Sequence, residues 1–217
     1  MGDVVELAGR RRARALARAA APTPKAEFFF DLSCPFSYLA AESVERAFGR
    51  VTWRPAAAAA LARRDPSADV ASAASVRGAA ERRAAVLRLP LEWPERFPAE
   101  VPAAMRACTL AIEQGRGGPF VLAAVRLAFC GGFDLDDPEI LAEAAAAAGV
   151  GLGRSLKAAG DPARDATIDA NGRRLLSAGA DRLPALRVGR SLVWGEERVA
   201  SVTAAAGGAA AVERRRS

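Results

Sequence analysis

An aromatic and aliphatic run that ends in a cysteine and a proline constrains the fold of this chain more than any other feature. Residues 27–32, with the sequence EFFFDL, predict a strand that is buried on both faces. Residues 34–37, CPFS, follow directly and indicate the start of a helix. Proline is tolerated in the first turn of a helix because its missing N–H would have no intrahelical partner there. The chain is therefore expected to pass at this point from a sheet to a helix packed against it.

The cysteine at this junction is a candidate for thiol chemistry. A thiol at a helix N-terminus is close to unpaired N–H groups and to the positive end of the helix dipole, and both favour the thiolate. Ser37 occupies the second position of what would be a C-x-x-C pair, so the chemistry would depend on Cys34 alone. The alternative is an inert small residue at a tight turn. On the first interpretation, Cys34 is expected to react faster than Cys108 or Cys130.

The spacing of the next residues predicts a βαβ unit. Apolar positions from Pro35 to about Phe48 recur with helical spacing, and Gly49 is a suitable C-cap. A second strand is expected at residues 51–54 and is stopped by Pro55. Two strands joined by one helix in so short a segment should be parallel, with a right-handed crossover.

The remainder of the chain is mostly helical until a late hairpin. Alanine-rich patterns punctuated by proline and glycine predict helices near 77–88, 103–115, 118–130, 137–148 and 162–178. Strands are expected at 184–188 and 191–194, with a tight turn at Gly189-Arg190 and a final helix from Gly195. The predicted fold class is therefore α/β, a thioredoxin-like fold with a large all-helical insertion. The predicted division is a basic extension at 1–25, a thioredoxin-like domain at 26–57 plus 176–206, an insertion at 58–175 and a tail at 207–217.

Charge and hydropathy exclude several classes of partner. The net charge of +6 comes from residues 1–25, which carry +4, and residues 207–217, which carry +2, so the body of the chain is neutral. No aromatic residues lie among the terminal arginines, and nucleic-acid binding is therefore not expected. No stretch approaches the ~20 apolar residues that a membrane span needs. The basic N-terminus also lacks the apolar region of a secretory signal, so a cytoplasmic location is expected.

The chain contains no histidine, which removes several mechanisms. A Ser-His-Asp or Cys-His pair and a histidine metal ligand are excluded. The three cysteines are far apart, which fits a reducing compartment and predicts no metal site. A catalytic group would have to be a thiol, hydroxyl, carboxylate or guanidinium.

Motifs at both ends of the predicted thioredoxin-like domain resemble one known group. Residues 30–40, FDLSCPFSYLA, resemble the motif D-x-x-S-P-[FY]-S-Y-L-A, and residues 194–198, WGEER, resemble W-G-x-D-R. Leu183-Pro184 stands where that group has a Val-Pro with a cis peptide bond. The chain is therefore similar to the DsbA-like thioredoxin-fold proteins, closest to 2-hydroxychromene-2-carboxylate isomerases and kappa-class glutathione transferases.

The resemblance implies roles for individual residues. The serine that holds a glutathione thiolate in that group falls on Cys34, which is also where redox members place their attacking cysteine. Leu183, before a cis Pro184 that faces Cys34 across a cleft, would offer its backbone to an extended cysteinyl ligand. Glu197 would receive an ammonium group of the cofactor, or would be a simple acid at a helix start. The implied cofactor is glutathione or another low-molecular-weight thiol.

Residues beside the cysteine are candidates for a substrate pocket. They are Phe36, Ser37 and Tyr38, and core packing is the alternative for the tyrosine. The group's Asn-Lys-Pro-Pro-like loop and lysine are missing from residues 60–80, so the grip on glutathione departs from the pattern.

Three functions remain open from the sequence. The first is a thiol-dependent isomerase or transferase that acts on a small aromatic-derived electrophile by reversible thiolate addition. The second is a single-cysteine DsbA-type thiol–disulfide oxidoreductase. The third is a non-catalytic binding protein that keeps the fold. The expected partner is a small molecule, and the resemblance favours a homodimer.

Overall fold

The computed structural model describes residues 25–61 and 73–214. Its strands are β1 Ala26–Phe30, β2 Val51–Pro55, β3 Ala185–Val188 and β4 Ser191–Trp194. Its helices are α1 Pro35–Phe48, α2 Ala73–Leu87, α3 Pro102–Glu113, α4 Gly117–Phe129, α5 Pro138–Ala147, α6 Leu152–Ala159, α7 Asp165–Ser177 and α8 Glu196–Arg214. Short 3₁₀ turns lie at Ala58–Ala60 and Pro162–Arg164.

The strands form one mixed sheet in the order β2-β1-β3-β4. β1 and β2 are parallel, with Phe30 opposite Pro55, and β3 is antiparallel to β1, with Phe29 opposite Ala185. β4 is antiparallel to β3, with Trp194 opposite Ala185. The carboxyl ends of β1, β2 and β4 and the amino end of β3 therefore meet at one edge of the sheet. We call this the thiol edge, since Cys34 follows β1 there.

Helices cover both faces of the sheet. Phe28 and Phe30 point to one face, where each ring packs at a steep angle against the Trp53 ring, at centroid distances of 5.5 and 5.8 Å. These residues belong to the main core, to which α1, α8 and the insertion helices also contribute. Phe29 points to the other face and packs in a smaller cluster with Leu175 of α7. Because side chains alternate along β1, this strand contributes to two hydrophobic layers, one on each face of the sheet.

Helices α2–α6 form the insertion beside this unit. α3 packs between α4 and α6, and α4 also contacts α1. The shared core includes the fully buried side chains of Cys108, Phe120 and Phe129. This packing fixes the insertion against the first helix of the thioredoxin-like unit.

The strands and most helices agree with the sequence expectations within a few residues. Three differences are informative. Helix α6 was not expected. Helix α7 packs on the sheet, although it falls almost wholly within the predicted insertion 58–175. Helix α8 continues to Arg214, through most of the predicted tail 207–217. The predicted extension 1–25 lies outside the described residues except for Lys25.

In the ranges that the structure describes, no helix combines the length and the apolar character that a membrane crossing requires.

Candidate functional site

The backbone around Cys34 has the geometry expected of a helix start. Cys34 is the N-cap of α1, with φ −92° and ψ 114°, and Pro35 is the first helical residue. The carbonyl of Cys34 accepts hydrogen bonds from the N–H groups of Ser37 and Tyr38, at 2.9 and 3.3 Å. Its side chain is half-buried. The predicted strand-to-helix junction is thus present, with the thiol at the thiol edge.

The ionisation of Cys34 runs opposite to the sequence expectation. Burial raises the pKa of its thiol to about 11, although hydrogen bonds from the Ser37 hydroxyl and from the N–H groups of Ser37 and Phe36 act to lower it. The carboxyl group of Asp31 raises it further. This direction is opposite to the expected activated thiolate, because loss of solvation outweighs the helix N-terminus. At neutral pH Cys34 is a protonated thiol.

Asp31 is buried beside this thiol and ties two segments together. Its Oδ1 accepts hydrogen bonds from the N–H and hydroxyl groups of Ser33, at 2.8 and 2.7 Å. Its Oδ2 accepts from the N–H of Ala58, at 2.7 Å, in the turn that follows β2. Only 6% of Asp31 is exposed. Burial raises its pKa despite these hydrogen bonds, and Glu100 adds to the effect.

The proline predicted to be cis is cis and lies at the same edge. The Leu183–Pro184 peptide bond is cis, and both residues are buried. Pro184 precedes β3, whose first residue is paired with the last part of β1. The Pro184 carbonyl accepts a hydrogen bond from Gly195 at 2.9 Å. Gly195 has φ 84°, in the left-handed region that favours glycine.

A cleft of about 300 Å³ opens between this edge and the insertion. Asp31 and Ser33 line it from the loop before α1, and Ala57 and Ala58 from the turn after β2. The opposite wall comes from α3, the residues before it, and α7. The carboxyl groups of the lining are those of Asp31, Glu100, Asp165 and Asp169. Of these, Asp165 forms an ion pair with Arg106 at 2.6 Å.

The lining residues do not include Cys34, Leu183 or Pro184, although the cleft adjoins the loop that precedes Cys34. The other residues expected at the site also lie outside the lining. Tyr38 is 1% exposed; its ring stacks on Phe129 at 5.8 Å, and its hydroxyl donates to the Pro90 carbonyl at 2.6 Å. The pocket role expected for Tyr38 is thus corrected to core packing. Ser37 is equally buried and contacts the Cys34 sulfur. Phe36 is half-buried against the main core.

The acid that faces inward at the start of α8 is Glu196, which the sequence analysis did not single out. It is 5% exposed and forms a two-pronged ion pair with Arg83 of α2, in which Nη2 lies 3.1 Å from Oε1. Glu197, the residue expected to bind an ammonium group, is exposed. Adjacent acids at a helix start differ in direction by about 100°, so the sequence alone could not assign the inward one.

The remaining cysteines have different surroundings. Cys108 is fully buried, and burial raises its pKa. Cys130 is half-buried and its Sγ donates to the Tyr38 hydroxyl at 3.2 Å. Within residues 25–61 and 73–214, no group of three or more cysteine, aspartate or glutamate side chains has the arrangement of a metal site.

Comparisons with known proteins agree with this architecture. The family model described as DSBA-like thioredoxin domain matches residues 25–206. A solved structure of 2-hydroxychromene-2-carboxylate isomerase is 16% identical, with a TM-score of 0.70, and the match covers 88% of this chain and 98% of that one. A search of curated protein sequences found no match.

Two oxidoreductase structures are similar to the same extent. A probable DsbA oxidoreductase from Streptomyces coelicolor is 22% identical, with a TM-score of 0.65, over 85% of this chain and 90% of that one. The cytosolic disulfide reductase DsbM from Pseudomonas aeruginosa, in its structure with GSH, is 17% identical, with a TM-score of 0.65, over 88% and 99%. At these identities the likeness establishes the thioredoxin-like fold and its helical insertion.

Proposed function

The chain belongs to the DSBA-like thioredoxin domain family, and from this premise we propose that it is a thiol-dependent isomerase or transferase of the 2-hydroxychromene-2-carboxylate isomerase type. The observation that carries the proposal is the placement of the Cys34 thiol and the cis Leu183–Pro184 bond at one sheet edge, beside a cleft large enough for a small aromatic substrate. The proposal includes a small-molecule substrate, a cytoplasmic location and a homodimer.

Cys34 acts in this proposal as a hydrogen-bond donor. Its pKa of about 11 keeps the proton on sulfur at neutral pH. The Ser37 hydroxyl and two backbone N–H groups already donate to this sulfur, so the S–H is available to an acceptor outside the loop. A low-molecular-weight thiol bound there would supply a thiolate that adds reversibly to a conjugated carbonyl compound. Cys34 would stabilise that negative charge, as the serine at the matching position is thought to do in the isomerases.

The residues present fit a bound thiol in general better than they fit glutathione. Leu183 precedes a cis proline at the thiol edge, and we propose that its backbone N–H and C=O pair with an extended cysteinyl group. The carboxylates that line the cleft oppose the two carboxylates of glutathione. Glu196 is already paired with Arg83. We therefore propose a low-molecular-weight thiol cofactor and use glutathione as its first probe.

Two substitutions of Cys34 test its role as a hydrogen-bond donor. The assay follows conversion of 2-hydroxychromene-2-carboxylate in the presence of glutathione, with wild-type protein, Cys34→Ser and Cys34→Ala. A hydroxyl donates a hydrogen bond as a thiol does, so Cys34→Ser should keep activity within about tenfold, whereas loss of the donor in Cys34→Ala should cost about a hundredfold or more. Equal loss in both variants would contradict the donor role.

The second candidate is single-cysteine thiol–disulfide exchange, favoured by the N–H groups of Phe36 and Ser37 that point at the Cys34 sulfur. In that reaction the deprotonated Cys34 attacks one sulfur of a disulfide, a mixed disulfide forms, and the other sulfur leaves as a thiolate that takes up a proton. An external thiol then releases Cys34. A small mixed-disulfide substrate should be reduced by wild-type protein and by neither variant. Inactivity of all three proteins in both assays would favour the non-catalytic binding protein instead.

A further inference from the structure

An arginine cluster lies on the sheet face that α7 covers, and the proposed reaction does not use it. Glu27 of β1 is at its centre, and only 16% of its side chain is exposed. Arg54 of β2 donates to its Oε1 at 3.0 Å, and Arg174 of α7 donates to its Oε2 at 2.8 Å. Arg187 of β3 lies directly opposite Glu27 in the sheet, with its Nε 3.5 Å from Oε2. We call these four residues the Glu27 cluster.

The positive charge of this cluster exceeds what Glu27 can balance. Although burial alone would raise the pKa of Glu27, hydrogen bonds from Arg174 and Arg54 lower it, so the group is a carboxylate at neutral pH. One carboxylate faces three guanidinium groups, which leaves a local excess of two positive charges. The Nε–H of Arg187 is buried and has no hydrogen-bond partner among the described residues. This donor faces Glu27, with Nε 3.5 Å from Oε2, and is out of reach of solvent, so an approaching anion would meet the other donors of Arg187.

The guanidinium groups are also accessible. The exposed fractions are 39% for Arg54, 44% for Arg174 and 25% for Arg187. Three different elements hold them in place, and the ring of Phe29 lies 5.5 Å below the guanidinium of Arg174. Each guanidinium carries five N–H donors in a planar fork, and a tetrahedral oxyanion matches such forks with two oxygens at a time.

The surroundings add to the positive potential. Glu27 is the second residue of β1, at the end of the sheet opposite the thiol edge. Lys25, Arg50 and Arg190 lie at the same end, because each adjoins a strand end that is paired in the sheet there, and all three are exposed. An anion that approaches this end meets cations on each of the neighbouring strand ends.

We propose that the Glu27 cluster is a binding site for a phosphate-class oxyanion, either inorganic phosphate or the phosphate group of a phosphomonoester. The anion would contact the outward donors of Arg54, Arg174 and Arg187, while Glu27 holds the three side chains together. The site is separate from the thiol edge and does not depend on the reaction proposed there.

Calorimetric titration of the full chain tests the site. Inorganic phosphate and glycerol 3-phosphate are titrated separately at fixed ionic strength, with chloride as the reference anion. Saturable binding of either phosphate, absent with chloride, is expected. Tighter binding of glycerol 3-phosphate would assign the site to an organic phosphate, and tighter binding of phosphate to the free ion.

Matched variants locate the binding. Arg174→Gln and Arg54→Gln should each weaken phosphate binding by about tenfold, since each removes one charge-assisted contact. Arg173→Gln removes the same charge from the neighbouring exposed position of α7 and should change affinity less than about twofold. An absence of saturable binding beyond the chloride reference overturns the proposal, as does an equal loss in Arg173→Gln and Arg174→Gln.

Discussion

Two opposing effects act on the pKa of the Cys34 thiol, and the larger of them determines its direction. The helix N-terminus lowers the pKa and burial raises it. A helix N-terminus stabilises a nearby negative charge by about 0.3–1 kcal/mol, which is less than one pKa unit. Removal of a group from water shifts a pKa by up to about 3–5 units. In this site burial and the Asp31 carboxyl act together against three hydrogen bonds, and the pKa rises to about 11. The thiol is thus suited to donate a hydrogen bond at neutral pH rather than to attack.

The pH dependence of alkylation checks this conclusion. The rate of Cys34 modification by iodoacetamide, read from peptide masses, should be slow at pH 7 and should rise with a midpoint near pH 11. Asp31→Asn should move that midpoint downward, because it removes the negative charge that opposes the thiolate. A rate that is already at its plateau below pH 8 would show that Cys34 is an activated nucleophile after all.

At the scale of elements, a largely buried ion pair joins the insertion to the thioredoxin-like unit. Arg83 lies in α2 and Glu196 in the first turn of α8, where a negative charge also favours the helix N-terminus. The side chain of Glu196 is 3% exposed and that of Arg83 23%. Removing one partner of such a pair leaves a buried charge without compensation, whereas removing both does not.

Denaturant unfolding measures the contribution of this pair. Arg83→Met should lower the free energy of unfolding by about 2–4 kcal/mol, since Glu196 is left buried and unpaired. Arg82→Met, at the exposed neighbouring position, should change it by less than about 0.5 kcal/mol. The double variant Arg83→Met/Glu196→Met should be more stable than Arg83→Met. If it is less stable, the pair does not act as described.

Elements with strong local signals could be predicted from the sequence, and those without them could not. The proline at position 35 and the glycine at position 49 define α1 to the residue. The run before Cys34 locates β1 to within about two residues. Helix α6 was missed because glycines lie before, within and after its eight residues, which weakens the periodic pattern. Helix α7 lines the cleft because segments that are distant in the sequence pack together. No local sequence pattern predicts such packing.

In the described part of the chain, carboxyl groups collect at one end of the sheet and guanidinium groups at the other, although Arg106 pairs with one of the carboxylates, that of Asp165. The thiol edge and cleft carry the carboxyl groups of Asp31, Glu100, Asp165 and Asp169. The opposite end of the sheet carries the Glu27 cluster and further cations. This separation of negative from positive groups repels anions from the cleft and attracts them to the end of the sheet that carries the Glu27 cluster. The effect extends over about one Debye length in physiological salt.

Glutathione binding measures the effect of this division at the cleft. Asp169→Asn should tighten binding by about two- to fivefold at low salt, because it removes one charge that repels the glutathione carboxylates. The gain should disappear at 1 M salt, where the Debye length is about 3 Å. Glu143→Gln removes an exposed charge from α5, outside the cleft lining, and should leave affinity unchanged. A salt-independent gain, or the same gain in Glu143→Gln, would contradict the electrostatic explanation.

The central position of β1 in the sheet has a consequence for synthesis on the ribosome. One neighbour, β2, emerges shortly after β1, but the other, β3, emerges only after the whole helical insertion has been made. At about 5–20 residues per second this delay is on the order of ten seconds. Through that interval the second edge of a phenylalanine-rich strand has unpaired N–H and C=O groups. The nascent chain therefore passes through a stage in which one edge of a phenylalanine-rich strand is unpaired, and only translation of the late hairpin ends it.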